Sequence, residues 1–224
     1  MQRQRAHLSQ SRSDTSASKV GRGSAVRLER PQIIRALSQI SPRSLRATYI
    51  FCPWLKDVHN ERDIWTSILA IHDINEEILS KLRPSETKWN NVYVGIFAVD
   101  VLRTPAELIR SIKVAGIGGV INFPSTSFIG DGTATIFNHL SLGIDREIDV
   151  LQECGAQGLR IAGVVGSLKA AQRLSAMGAD FLITHRGPPI HDHDKSDSKD
   201  ADEKLKLPNN TPLFRLAELI YSKN

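Results

Sequence analysis

Apolar residues along this chain follow two rhythms. Residues 92–99 (VYVGIFAV), 119–123 (GVINF), 159–165 (LRIAGVV) and 180–184 (DFLIT) are short, nearly continuous apolar runs. Between them, residues 105–115, 144–153 and 167–177 carry apolar positions every three or four residues, the spacing of an amphipathic helix. Gly116 and Gly178 follow two of these helices as C-caps. Continuous apolar strands are covered on both faces, as in a parallel sheet under helices, and parallel neighbours need a crossover that a helix supplies. The order strand–helix–strand therefore predicts α/β architecture and excludes all-helical and all-β folds. It does not separate a closed barrel from an open doubly wound sheet.

Upstream, the spacing of Ile33, Ile34 and Leu37 predicts a short helix over 31–39 with Pro31 at its start. Residues 47–54 read as a strand ended by Pro53, and 64–82 as a helix stopped by Pro84. Downstream, 213–221 reads as a last short helix, and no seventh or eighth strand is visible. The domain limits that follow are a disordered basic tail over 1–28, a β/α domain over 29–187 and a polar loop with a short helix over 188–224.

Charge sharpens this picture. The net charge of +5 resides in the first thirty residues, which hold seven Lys/Arg and two acids; the rest carries 22 of each sign. A basic Ser/Gln-rich tail reads as disordered, so nucleic acid is not the expected partner. Its Arg and Ser content also fits a mitochondrial targeting segment, the alternative to a cytoplasmic location. Cys52 and Cys154 form neither a CxxC pair nor a disulfide framework, which points to a reducing compartment. No apolar run reaches the roughly 18–20 residues of a membrane span.

Ligands of β/α folds bind outside the carboxyl ends of the strands. That rule selects Asp100 and Arg103 after the first clear run, Asn122, Ser125 and Thr126 after the second, and His185 and Arg186 after the fourth. Asp100 can accept a proton or hold a divalent metal; the cofactor is otherwise left open. Asn122 can donate to an oxyanion, His185 can act as acid or base, and Arg103 or Arg186 can clamp a carboxylate or phosphate. Each has a plainer reading: Asp100 caps the helix at Pro105 or ties its loop, Asn122 satisfies neighbouring backbone, Ser125 and Thr126 form a turn, and His185 packs. His191-Asp192-His193-Asp194 has zinc-type ligands, but it continues as alternating Lys, Asp and Ser and reads as a solvated loop. Gly116-Ile117-Gly118-Gly119 precedes a strand rather than a helix, so it reads as a tight turn and not a phosphate loop.

Four blocks, GVINFPSTSF (119–128), VGIFAVDVLR (94–103), GIDRE (143–147) and AMGADFLITHRG (176–187), resemble in order those of the phosphoenolpyruvate hydrolase-like TIM-barrel family. The best match spans 92–187. The resemblance implies a TIM-barrel-type (β/α) repeat and chemistry on a small carboxylate or phosphate ester, with Asp100, Asn122 and His185 as acid/base or orienting groups and Arg103, Ser125, Thr126 and Arg186 binding substrate. It also implies kinship with fungal and plant fusion proteins, including a tobamovirus-resistance protein. The family's glycine-rich first strand and its Asn-Ser-Gly-Arg block have no counterpart between Pro31 and Trp89, so the barrel is expected to be incomplete. An incomplete barrel exposes strand edges. The alternative function is therefore an inactive interaction protein that forms homo-oligomers.

Overall fold

The computed structural model describes residues 28–40, 47–57, 73–129, 131–185 and 207–220. Among them are seven strands: β1 Gln32–Ile34, β2 Tyr49–Phe51, β3 Trp89–Ile96, β4 Ile117–Asn122, β5 Arg160–Val165, β6 Leu182–Thr184 and β7 Leu213–Arg215. Every strand pairs in parallel with its neighbour in sequence, in the order β1 to β7. A doubly wound sheet reverses its order at a switch point; this one never does. With right-handed crossovers an unreversed order keeps the helices on one face and curls the sheet around the other. The described residues thus form an incomplete α/β barrel, with seven of the eight strands that close one.

The helices are α1 Ile74–Lys81, α2 Pro105–Val114, α3 Asp131–His139, α4 Ile144–Ala156, α5 Leu168–Ala176 and α6 Leu216–Ile220. The residues that start them are written into the sequence. Thr104 caps α2 in a capping box with Glu107, and Pro105 takes the first turn, where its missing N–H goes unneeded. Asp73 caps α1 and Ser167 caps α5. Gly116 ends the α2 turn at a φ of +73°, and a Cβ there would fall 2.1 Å from the Thr87 carbonyl oxygen. None of these helices is long and apolar enough to cross a membrane.

Two segments differ from the sequence reading. Residues 31–39 are not a helix: Gln32–Ile34 is a strand, and only Leu37–Gln39 turns, as a 3-10 helix. Likewise 213–215 is strand β7, paired with β6, and only Leu216–Ile220 is helical. Both strands have three residues, too few for periodicity to separate a period of 2 from one of 3.6. What makes them strands is a neighbour offering free ladder groups. Helix α6 then lies against β1, at the open side of the sheet. The expected helix over 64–72 and the His191–Asp194 run lie outside the described residues.

Candidate functional site

Register decides which strand-end residues share a face. Tyr93 pairs with Gly119, Gly95 with Ile121 and Val164 with Ile183. A Cβ at Gly119 would fall 2.5 Å from the Tyr93 ring, and one at Gly95 would fall 2.6 Å from Cys52 Sγ. Tyr93 meets Phe181 edge-on at 5.0 Å. These side chains fill the concave face. Two-residue alternation carries Phe123 and His185 onto that same face at its carboxyl end, and turns Asn122 and Thr184 towards the helices.

The carboxyl end of the concave face is a row of rings. Trp54 meets Phe123 at 5.0 Å, Phe123 meets Phe128 at 6.2 Å, and Phe128 meets His185 at 4.3 Å, all edge-on. All four are buried. The backbone N–H of His185 donates to the Val165 carbonyl oxygen at 3.4 Å, which sets His185 beside Gly166. Burial pushes the His185 imidazole down to about 4, so it is neutral at neutral pH. Trp54 is 4% exposed, and its indole N–H is buried without an acceptor among the described residues. Cys52 is a free, buried thiol, and burial pushes it well above its ordinary value.

Asn122, Ser125 and Thr126 are brought together, on the helix side of the sheet. What gathers them is Glu147 of α4, a fully buried carboxylate. Its Oε1 accepts from the Thr126 N–H at 2.6 Å and the Thr126 hydroxyl at 2.7 Å; its Oε2 accepts from Asn122 Nδ2 at 2.6 Å and the Ser125 hydroxyl at 2.7 Å. Burial raises the Glu147 carboxyl from its ordinary value, and these four donors oppose the rise. Asn122 also donates to the Val164 carbonyl at 3.0 Å and accepts from the Val164 N–H at 2.7 Å. The amide thus extends the β4–β5 ladder by one rung.

Asp100 and Arg103 form a second cluster. The Arg103 guanidinium reaches both Asp73 oxygens, at 2.9 and 2.8 Å, Glu76 at 2.7 Å and Asp100 at 3.1 Å. Asp100 further accepts from the Leu102 N–H at 2.7 Å and Asn75 Nδ2 at 2.8 Å, while Asn75 brackets Phe97 through its N–H and its carbonyl. The hydrogen bonds from Arg103 hold the Asp73 carboxyl below the usual carboxylate range. This knot ties the loop after β3 to the start of α1, and the cap of α2 is Thr104 rather than Asp100. Among the described residues no group of three or more His, Cys, Asp or Glu side chains could hold a metal ion. Arg186 lies outside the described residues.

Three participants escaped the sequence reading. Glu147 stands on the apolar stripe of α4 with Ile148, Leu151 and Cys154; a carboxylate on a buried stripe demands donors, and that signal was available. Asp73 occupies a helix start, where a cap is the ordinary reading. Trp54 carries no local signal. A cleft of about 170 Å³ opens at the carboxyl ends of β4 and β5, lined by Thr126, Ser127, Asn138, Gly143, Gly166 and Ser167 together with the apolar Ile129, Phe137 and Ile144.

Comparison with known proteins gives two findings. A family model described as phosphoenolpyruvate hydrolase-like matches residues 63–207. The chain is also 29% identical over 154 residues to an uncharacterized protein, y4oT, of Sinorhizobium fredii (strain NBRC 101917 / NGR234), a span covering 69% of this chain and 79% of that protein.

Proposed function

The chain belongs to the phosphoenolpyruvate hydrolase-like family, and on that premise we propose that it takes a small carboxylate or phosphate ester at the carboxyl end of its sheet, where His185 exchanges a proton with it. The observation that carries this reading is the pair of polar groups in the aromatic row: the buried Trp54 N–H, which has no acceptor among the described residues, and the imidazole of His185. A buried donor left unsatisfied costs about 1–3 kcal/mol, which an incoming oxygen acceptor would recover. The neutral imidazole is ready to accept a proton. Asp100 and Arg103 hold the loop after β3, and Asn122, Ser125 and Thr126 hold the loop after β4, both through bonds already made within the protein. Their part is positioning.

An anion next to His185 favours the imidazolium and so raises its value from about 4. Binding at pH 6 should therefore draw about one proton from solution. Calorimetry with phosphoenolpyruvate in buffers of different ionisation enthalpy measures this directly. His185→Asn should abolish the proton uptake and any release of pyruvate. Heats that are identical in every buffer would reject the assignment.

The second reading, a non-catalytic protein that associates with itself, has its own observation. Val101 and Leu102 are 78% and 73% exposed, and Ile136, Leu140 and Leu168 are exposed as well. All five lie on connections leaving the carboxyl ends of β3, β4 and β5. Val114, at the end of α2, is the one exposed large apolar residue among the described residues that lies elsewhere; exposed apolar groups in such number at one end of a sheet suit an interaction surface. Under this reading light scattering after size exclusion shows a dimer, and Val101→Thr with Leu102→Gln shifts it to monomer. A monomer at every concentration rules it out.

A further inference from the structure

The turn after β4 touches a strand two places away. Asn122 ends β4, Ser125 caps the 3-10 turn Thr126–Phe128, and the Phe128 ring lies 4.3 Å from the ring of His185, just past the end of β6. Between β4 and β6 stands β5, so the turn passes over the end of β5. Gly166 makes that passage possible, because a Cβ there would fall 2.7 Å from the Ser127 carbonyl oxygen.

The turn's own bonds hold it weakly. The Phe128 N–H donates to the Ser125 carbonyl at 3.2 Å and the Ile129 N–H to the Thr126 carbonyl at 3.0 Å, and the geometry of 3-10 hydrogen bonds is poor. Glu147 offers more. It accepts both the N–H and the hydroxyl of Thr126, at 2.6 and 2.7 Å, and such bonds to a carboxylate are roughly twice as strong as neutral ones. Glu147 is itself fixed in the first turn of α4, on the buried stripe with Ile148 and Leu151, and its N–H donates to the Gly143 carbonyl at 3.3 Å.

We propose that Glu147 is a positioning residue for His185: by anchoring Thr126 it keeps the Phe128 ring against the imidazole and water away from it. This rests on the acid–base part proposed for His185 and names the group that sets its environment. Glu147 works from the helix side of the sheet, through the turn. The other titratable side chains described on the concave face are the Cys52 thiol and the Tyr93 phenol, and burial raises both, so both are neutral at neutral pH. The charges of Asp180 and Arg160 meet at the amino end, where Asp180 accepts from the Tyr93 hydroxyl and from Arg160. Burial is what lowers His185, so its titration reports how well it is covered.

The test is an NMR titration of the His185 imidazole in the full chain without ligand, its signals assigned by their loss in His185→Asn. Glu147→Gln should raise the midpoint from about 4 to about 5 or above, as water reaches the ring. Thr126→Val keeps the backbone bond to Glu147, loses the hydroxyl bond, and should raise it less. Gly166→Ala pushes the same turn from the other side and should raise it too; Gly166 has no positive φ, so the backbone accepts alanine. Tyr93→Phe loses its bond to Asp180 at the amino end; it should lower stability and leave the titration in place. The proposal is overturned if Glu147→Gln leaves His185 near 4 or, where that variant does not fold, if Thr126→Val does. It is also overturned if Gly166→Ala has no effect, or if Tyr93→Phe moves the midpoint as far. The acid–base reading fails separately, when phosphoenolpyruvate draws no proton into a chain whose His185 titration responds to Glu147.

Discussion

Glu147→Ala should lower the stability of the folded chain by about 3–5 kcal/mol, measured as the shift in a urea or guanidinium unfolding curve. The reason is the company the carboxylate keeps. Four donors converge on it, from Asn122, Ser125 and both the hydroxyl and the backbone of Thr126. Removing the acceptor leaves all four facing a dry cavity, and an unsatisfied buried donor is penalised more than a hydrogen bond is rewarded. The loss should also loosen β4 from β5, because Glu147 helps to fix the Asn122 amide that bridges both Val164 backbone groups. Glu147→Gln is the more telling variant. It keeps the volume, yet its amide must turn an NH2 towards groups that are themselves donors. It should still cost about 2 kcal/mol. A loss under about 1 kcal/mol for the Ala variant would show that the network does not hold the β4 loop.

Phe128→Ala should have an effect of the same order, about 3–5 kcal/mol, as a large buried ring is replaced by a cavity. It carries a second readout that a simple cavity would not. Phe128 is 1% exposed and stands between Phe123 and His185, and burial is what holds His185 near 4. Without the ring, water reaches the imidazole, and its value should climb towards the ordinary 6.5 or so. In the wild-type chain the unfolded state binds more protons than the folded state between pH 6.5 and about 4. Stability attributable to His185 is thus present above that window and is lost as the pH falls through it, on the order of 3 kcal/mol in all. Phe128→Ala should flatten this dependence. Unfolding curves at pH 7 and pH 5, with the imidazole C–H signals followed by NMR, decide it. An unchanged titration in the variant would mean that Phe128 does not set the environment of His185.

The alternation of apolar runs and helical segments between Val92 and Thr184 specified the α/β class, the parallel sheet and the starts of α2 and α5, because continuous apolar strands and capping residues act locally. The blocks around Asn122 and His185 likewise marked the family to which the chain belongs. Whether the sheet reverses its order was left to the fold, since nothing in one β/α unit records which edge the next strand joins. The three-residue strands Gln32–Ile34 and Leu213–Arg215 exist only because a neighbouring ladder offers them partners. The direction of a side chain is a question of parity, and parity counts from a register that pairing alone sets. Asn122 and His185 both end apolar strands in the sequence. Tertiary structure turned Asn122 into the helix layer against Glu147, and His185 into the aromatic row with Trp54, because the sheet's register placed them on opposite faces.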